Sequence, residues 1–168
     1  MIESIYILDN ASATLILQHT YTGRSVPDSV LEYFQSLILD DPISTPPSIL
    51  TVPLSVVSEP TALFSTRSSN GNLIILTPVR REPRDAIGVI ELLKRITEVL
   101  ESYFGKEKLG RGIIEANFDI VEELLGEMVD NGEIMTTEPD ALRDIVLPPS
   151  LLNKLMSAAG LQGYVLQR

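Results

Sequence analysis

Few residues in this chain of 168 could do chemistry: there is one His, no Cys and no Trp. Without Cys, disulfide frameworks, thiolate zinc sites and cysteine nucleophiles are excluded together. The absence of Cys also fits a reducing compartment. His19 leaves little for metal ligation or for a Ser/His/Asp triad. Nothing near it completes a ligand set, so it reads as an ordinary sheet or edge residue. Carboxylates are the one abundant reactive type. Glu115, Asp119, Glu122, Glu123, Glu127 and Asp130 recur at helical spacing. Acids three and four apart could hold a hard cation in a di-metal bundle, but such sites use Glu-x-x-His motifs turned inward. These acids lie opposite the apolar stripe of their helix and read as a solvated face or a docking face for a basic partner. A carboxylate-metal hydrolase, the reading from another function class, would need them turned inward.

The remaining chemical motifs are weak. There is no G-x-S-x-G, phosphate loop or dinucleotide fingerprint, so no cofactor is implied. Arg80, Arg81 and Arg84 precede a long helix, and Lys106, Lys108 and Arg111 follow it. That helix would span roughly 30 Å, so the two clusters make no single basic patch. They read as solubilising loops or as contacts to an acidic partner or membrane surface. The formal net charge of −10 argues against a general nucleic-acid binder. It is also uneven. Residues 113–142 hold nine acids and no Lys or Arg, while the rest carries 14 acids against 13 bases.

The elements that must position these groups follow from hydrophobic period. The length suits one domain able to bury roughly two-thirds of its surface. No apolar run reaches the roughly 18 residues of a membrane span, and the N-terminus lacks a basic signal-peptide region. Residues 2–9 and 14–20 read as two strands joined by a short turn. Pro27 opens a helix whose stripe of Val30, Leu31, Tyr33, Phe34, Leu37 and Ile38 is about 160° wide, broader than a core-facing helix needs. Leu31, Tyr33 and Ile38 lie on the edges of that stripe and are candidates for contact with another protein. Residues 40–48, rich in Pro and Asp, read as a flexible loop. Strands follow at 49–57 and 61–67, with Pro53 marking an edge or a bulge. Asn70-Gly71 signals a type I′ hairpin into a central strand beginning at Leu73.

A long helix is expected over about 84–104, stopped by Gly105. A third is expected over about 113–131, with Ile114, Phe118, Val121, Leu124, Leu125, Met128 and Val129 inward and Gly132 as its stop. Short helices open at Pro139, capped by Thr137, and at Pro148-Pro149. The order predicts an α+β (α/β sandwich) fold. It has a five-stranded, mostly antiparallel sheet with one helix on one face and two on the other, plus short C-terminal helices.

This order, with the motifs of its C-terminal half, resembles a longin domain of adaptor chains. Asn117-Phe118 and the run Ile120 to Gly132 are similar to the N-F-x-x-[IV]-Y-E-L-L-D-E-M-[LV]-D-x-G segment of clathrin-adaptor medium (mu) chains. Thr136-Thr137-Glu138 and Ile145 to Leu152 look most like the medium chain of adaptor protein complex 3. The opening Met1-Ile2-x-Ser4-Ile5-Tyr6-Ile7-Leu8 and Tyr103-Phe104-Gly105 agree. Two departures stand out: Glu122 replaces the Tyr of the pattern, and residues 40–60 are longer and richer in Pro.

The resemblance implies a non-enzymatic assembly module without cofactor or metal. It would occupy residues 1–160, with 161–168 a tail or the start of a linker to a cargo-binding domain not present in this sequence. It implies docking onto a large beta-type adaptor subunit, with the other adaptor chains as further partners. Contact with membranes would be indirect, through a coat sorting cargo from Golgi or endosomes to vacuole or lysosome. A small (sigma-type) adaptor chain or a coatomer longin subunit is the alternative within the same fold.

Overall fold

The computed structural model describes residues 2–23, 26–41, 46–80 and 85–160. Its first strand, β1 (Ser4–Asp9), is buried on both faces except at Asp9, as the apolar residues of both parities require. It turns through Asn10–Thr14 into β2 (Leu15–Thr20). The Asp9 carboxylate accepts from the Ser12 amide at 2.9 Å and its hydroxyl at 2.6 Å, fixing the turn locally. Helix α1 (Asp28–Asp40) begins after Pro27, which stands at the N-cap rather than inside the first turn. Its buried residues, Val30, Phe34 and Ile38, are four apart and form one ridge.

Strands β3 (Ile49–Val52), β4 (Thr61–Arg67) and β5 (Leu73–Arg80) complete the sheet. Its order is β2-β1-β5-β4-β3, and all four pairings are antiparallel. β3 is shorter than the expected strand through Val57. Pro53 offers no N–H, and its carbonyl instead accepts from the amides of Val56 and Val57, which turns the chain away. Pro78 sits in β5, a central strand. The β1–β5 pairing reaches only Tyr6↔Leu76, and beyond it the Thr77 hydroxyl donates to the Ser4 carbonyl at 2.8 Å. The proline therefore lies past the end of that ladder.

The sheet separates two cores, because side chains alternate across it. Ile5, Ile7, Leu73 and Ile75 point to one face, and Tyr6, Leu8, Ile74 and Leu76 to the other. Among the described helices, α1 alone covers the second face, with Val30, Phe34 and Ile38. The first is covered by α2 (Ala86–Phe104), with help from α3 (Arg111–Ala116), α4 (Phe118–Met128) and α5 (Pro139–Ile145). The Asp85 carboxylate caps α2 by accepting from the Gly88 amide at 2.8 Å. Gly105, at φ 89°, ends it.

The expected third helix is two helices and a hairpin. Asn117 (φ −126°) breaks it, and its side-chain amide donates back to the Ile113 carbonyl at 2.9 Å. The break turns Phe118 to the surface, at 43% exposure, rather than inward. After Met128 the chain forms β6 (Val129–Asp130) and β7 (Glu133–Ile134) around Asn131 and Gly132. Both turn residues have positive φ, 47° and 84°, as a type I′ hairpin demands. Asn70 is not in that conformation, so the expected I′ turn occurs at the other Asn-Gly pair. At α5 the N-cap is Glu138, not Thr137. α6 (Pro149–Ala158) closes the described chain. The expected start at Arg84, part of the 40–48 loop and the 161–168 tail lie outside the described residues.

Candidate partner surface

The stripe edges on α1 divide. Ile38 is 6% exposed and belongs to the core, so it leaves the candidate surface. Its place at the end of the Val30–Phe34–Ile38 ridge carries it inward. Leu31 and Tyr33 are half-buried against the same core and keep part of their surface outside. Gln35, on the polar side of α1, donates to the Ala13 carbonyl at 2.8 Å and ties the helix to the β1–β2 turn.

The acids of α3 and α4 face outward. Glu115, Asp119, Glu123, Glu127 and Asp130 are exposed. Glu115 pairs with Arg111 at 2.7 Å across one helical turn. Glu122 is half-buried and reaches across to β2, where its Oε1 lies 3.4 Å from His19 Nδ1. The His19 ring also packs on Tyr21, with centroids 4.6 Å apart. The Tyr21 hydroxyl donates to the Leu125 carbonyl at 3.0 Å. His19, Tyr21 and Glu122 thus pin α4 to the edge strand. Burial pushes the Tyr21 hydroxyl well above its ordinary range, and the nearby Glu122 charge adds to this. A hydrolase reading needs Asp119 and Glu122 turned inward, and Asp119 is exposed while Glu122 faces His19. Among the described residues no group of three could hold a metal ion.

Of the basic clusters, only some members are described. Arg80 pairs with Glu3 at 2.7 Å, while Arg81 and Arg84 lie outside the described residues. Lys106 and Lys108 are exposed. Lys106 stands 3.9 Å from Glu101. Glu101 falls by helical period with the polar Glu91, Lys94, Arg95 and Glu98 of α2, yet it is 7% exposed. Its carboxylate accepts from the Ser69 amide at 2.6 Å and hydroxyl at 2.9 Å, clamping the β4–β5 turn. Asn70 and Asn72 anchor that turn further, donating to the Leu109 carbonyl at 2.6 and 3.2 Å. A groove of about 490 Å³ opens beside Glu101 and is lined wholly by polar and charged residues.

No protein-family model matches the chain. Individual proteins do. The AP-3 complex subunit mu of Arabidopsis thaliana is 34% identical over 158 residues, 94% of this chain. The AP-3 complex subunit mu of Schizosaccharomyces pombe is 32% identical over 163 residues, 96% of this chain. The chain is homologous to adaptor mu subunits. It spans about a third of these relatives, 35% of each. Among structures, a chain of a full-length AP-3 complex homology model in a stretched open conformation superposes with a TM-score of 0.65. That match covers 96% of this chain and 99% of the other at 17% identity, and it speaks to the fold alone. The five-stranded antiparallel sheet with its helices is an α+β, longin-like fold. No helix among the described residues is long and apolar enough to cross a membrane.

The departure at Glu122 from the resembled pattern has a local physical account. The Glu122 carboxylate is received by His19 on β2, 3.4 Å away.

Proposed function

We propose that this chain is an assembly module of a vesicle-coat adaptor complex, holding a medium subunit on the trunk of a large beta-type subunit. The observation that carries the reading is the likeness to AP-3 mu subunits along 94–96% of the chain. Outward acids suit a role in docking to a partner. Mechanistically, binding would bury apolar area on a preformed domain while charge selects the partner. The acids of residues 113–142 would meet a basic stretch of that partner. The half-buried Leu31 and Tyr33 would add apolar contact from the opposite side of the sheet. The complex would work on Golgi or endosomal membranes, sorting cargo towards the vacuole or lysosome, and the chain would reach the membrane only through it. A small adaptor chain would share the fold, but the mu-named relatives favour a medium chain.

The test is co-purification with the trunk of an AP-3 beta-type subunit, beside a known mu chain as positive control. A stoichiometric complex that weakens as salt rises is expected, since exposed charge pairs are screened. Failure to bind beside a working control overturns the reading.

A further inference from the structure

α6 differs from every other described helix in burying none of its residues. Leu151, Leu152 and Leu155 are 43%, 40% and 56% exposed. With Met156 they occupy about 140° of the helical wheel, and Ser150, Asn153, Lys154 and Ser157 occupy the rest. A helix of ten residues is too short to persist in water by its own hydrogen bonds. The preceding segment is firmly held: the Tyr103 hydroxyl donates to the Val146 carbonyl at 2.9 Å. Beyond that anchor Leu147 is again exposed, at 42%. Among the described residues the chain therefore presents an amphipathic helix on a fixed base, its leucines 40–56% exposed.

Charge and area decide what covers it. Residues 145–160 carry a single charge, Lys154, in a chain of net −10. An anionic bilayer surface draws on several Lys or Arg, so it is a poor match. Two copies pairing through α6 would meet along only about 15 Å of helix. That is far short of the roughly 800 Å² per partner of a stable interface. A groove between helices covers both flanks of a short helix and matches its apolar anchors at i, i+1 and i+4.

We propose that α6 is a docking helix whose Leu151–Leu152–Leu155 face enters an apolar, sparsely charged groove of the large-subunit trunk. The proposal rests on the trunk reading above and adds which element makes the apolar contact.

The test is titration of the 168-residue chain with purified beta-type trunk. The double variant Leu151→Asp, Leu155→Asp should bind at least about tenfold more weakly, as loss of central anchors does. Its Tm should stay within about 2 °C of the wild type, because neither residue is buried. Asn153→Ala, on the polar face, should bind normally. Wild-type binding that the double variant retains overturns this proposal and leaves the trunk reading standing. No binding by the wild type overturns both. Self-association of the wild type that the double variant abolishes assigns the face to a second copy and also overturns it. If the double variant misfolds, amide exchange of the wild type decides: α6 should gain protection on adding trunk, and its absence refutes the proposal.

Discussion

Tyr21 shows how one side chain couples an edge strand to a helix. Its hydroxyl reaches the Leu125 carbonyl, and burial raises it above its ordinary range. A phenol whose folded value lies above its unfolded value of about 10 contributes stability in full below that pH. The contribution is lost as pH climbs further, because the unfolded chain gives up its proton first. Tyr103, raised mainly by burial, acts with the same sign. Urea unfolding between pH 7 and 11 should show stability falling above about pH 10. Tyr21→Phe should flatten that fall and cost about 1 kcal/mol at pH 7 for the lost hydrogen bond. An unchanged alkaline slope would show that Tyr21 is not responsible. Glu101 marks where residue-level reading reached its limit. Helical period places it among polar residues, and only the β4–β5 turn, supplied from far along the chain, makes its burial favourable.

Elements were legible to the extent that their signals were local. β4 emerged with its expected bounds, and Gly105 ended α2 as its position suggested. The two Asn-Gly pairs look alike in sequence but differ in the chain. Asn70 is drawn into hydrogen bonds with Ser68 and the Leu109 carbonyl, and the turn around it opens to span Ser68 to Asn72. Asn131-Gly132 has no such pull and closes as a tight hairpin. The Gly132 carbonyl accepts from the Ile2 amide at 3.1 Å, so that hairpin also steadies the N-terminal strand. Gly132→Ala forces a side chain into positive φ and should cost about 1 kcal/mol or more. Thermal unfolding reads the cost directly. The equivalent change at Gly126, which sits in α4 with open space around it, should be neutral or stabilising. The missed break at Asn117 has a related cause: apolar period continues through it, and the side-chain hydrogen bond that bends the chain leaves no mark on periodicity.

At the scale of the molecule, two cores share one sheet, so neither can melt without exposing the back of the other. Global unfolding should therefore be a single transition. α6 stands apart from it. In native-state hydrogen exchange the amides of β5, central and buried along its length, should be the last to exchange, and those of α6 among the first. Protection of α6 in the isolated chain equal to that of β5 would contradict this. The sequence carried the fold because the apolar runs of β1 and β5, unbroken at both parities, mark strands covered on both faces, and the medium-chain segment is long. The partner surface was less legible. Whether a residue on a stripe edge lies inside or outside depends on the tilt of the helix, which separated Ile38 from Leu31 and Tyr33. The acidic face was the more readable half: Glu115, Asp119, Glu123, Glu127 and Asp130 are exposed as helical period expects, and Glu122 alone among the six turns to His19.

The short outer strand β3 has one more consequence. Sheets with open edges can grow by adding strands from other molecules, and this sheet has edges at β2 and β3. β3 offers only four residues before Pro53 turns the chain aside. On β2, Tyr21 and His19 tie the end of the strand to α4. A wandering strand thus finds little length at one border and a helix at the other, so the fold resists aggregation through its own sheet.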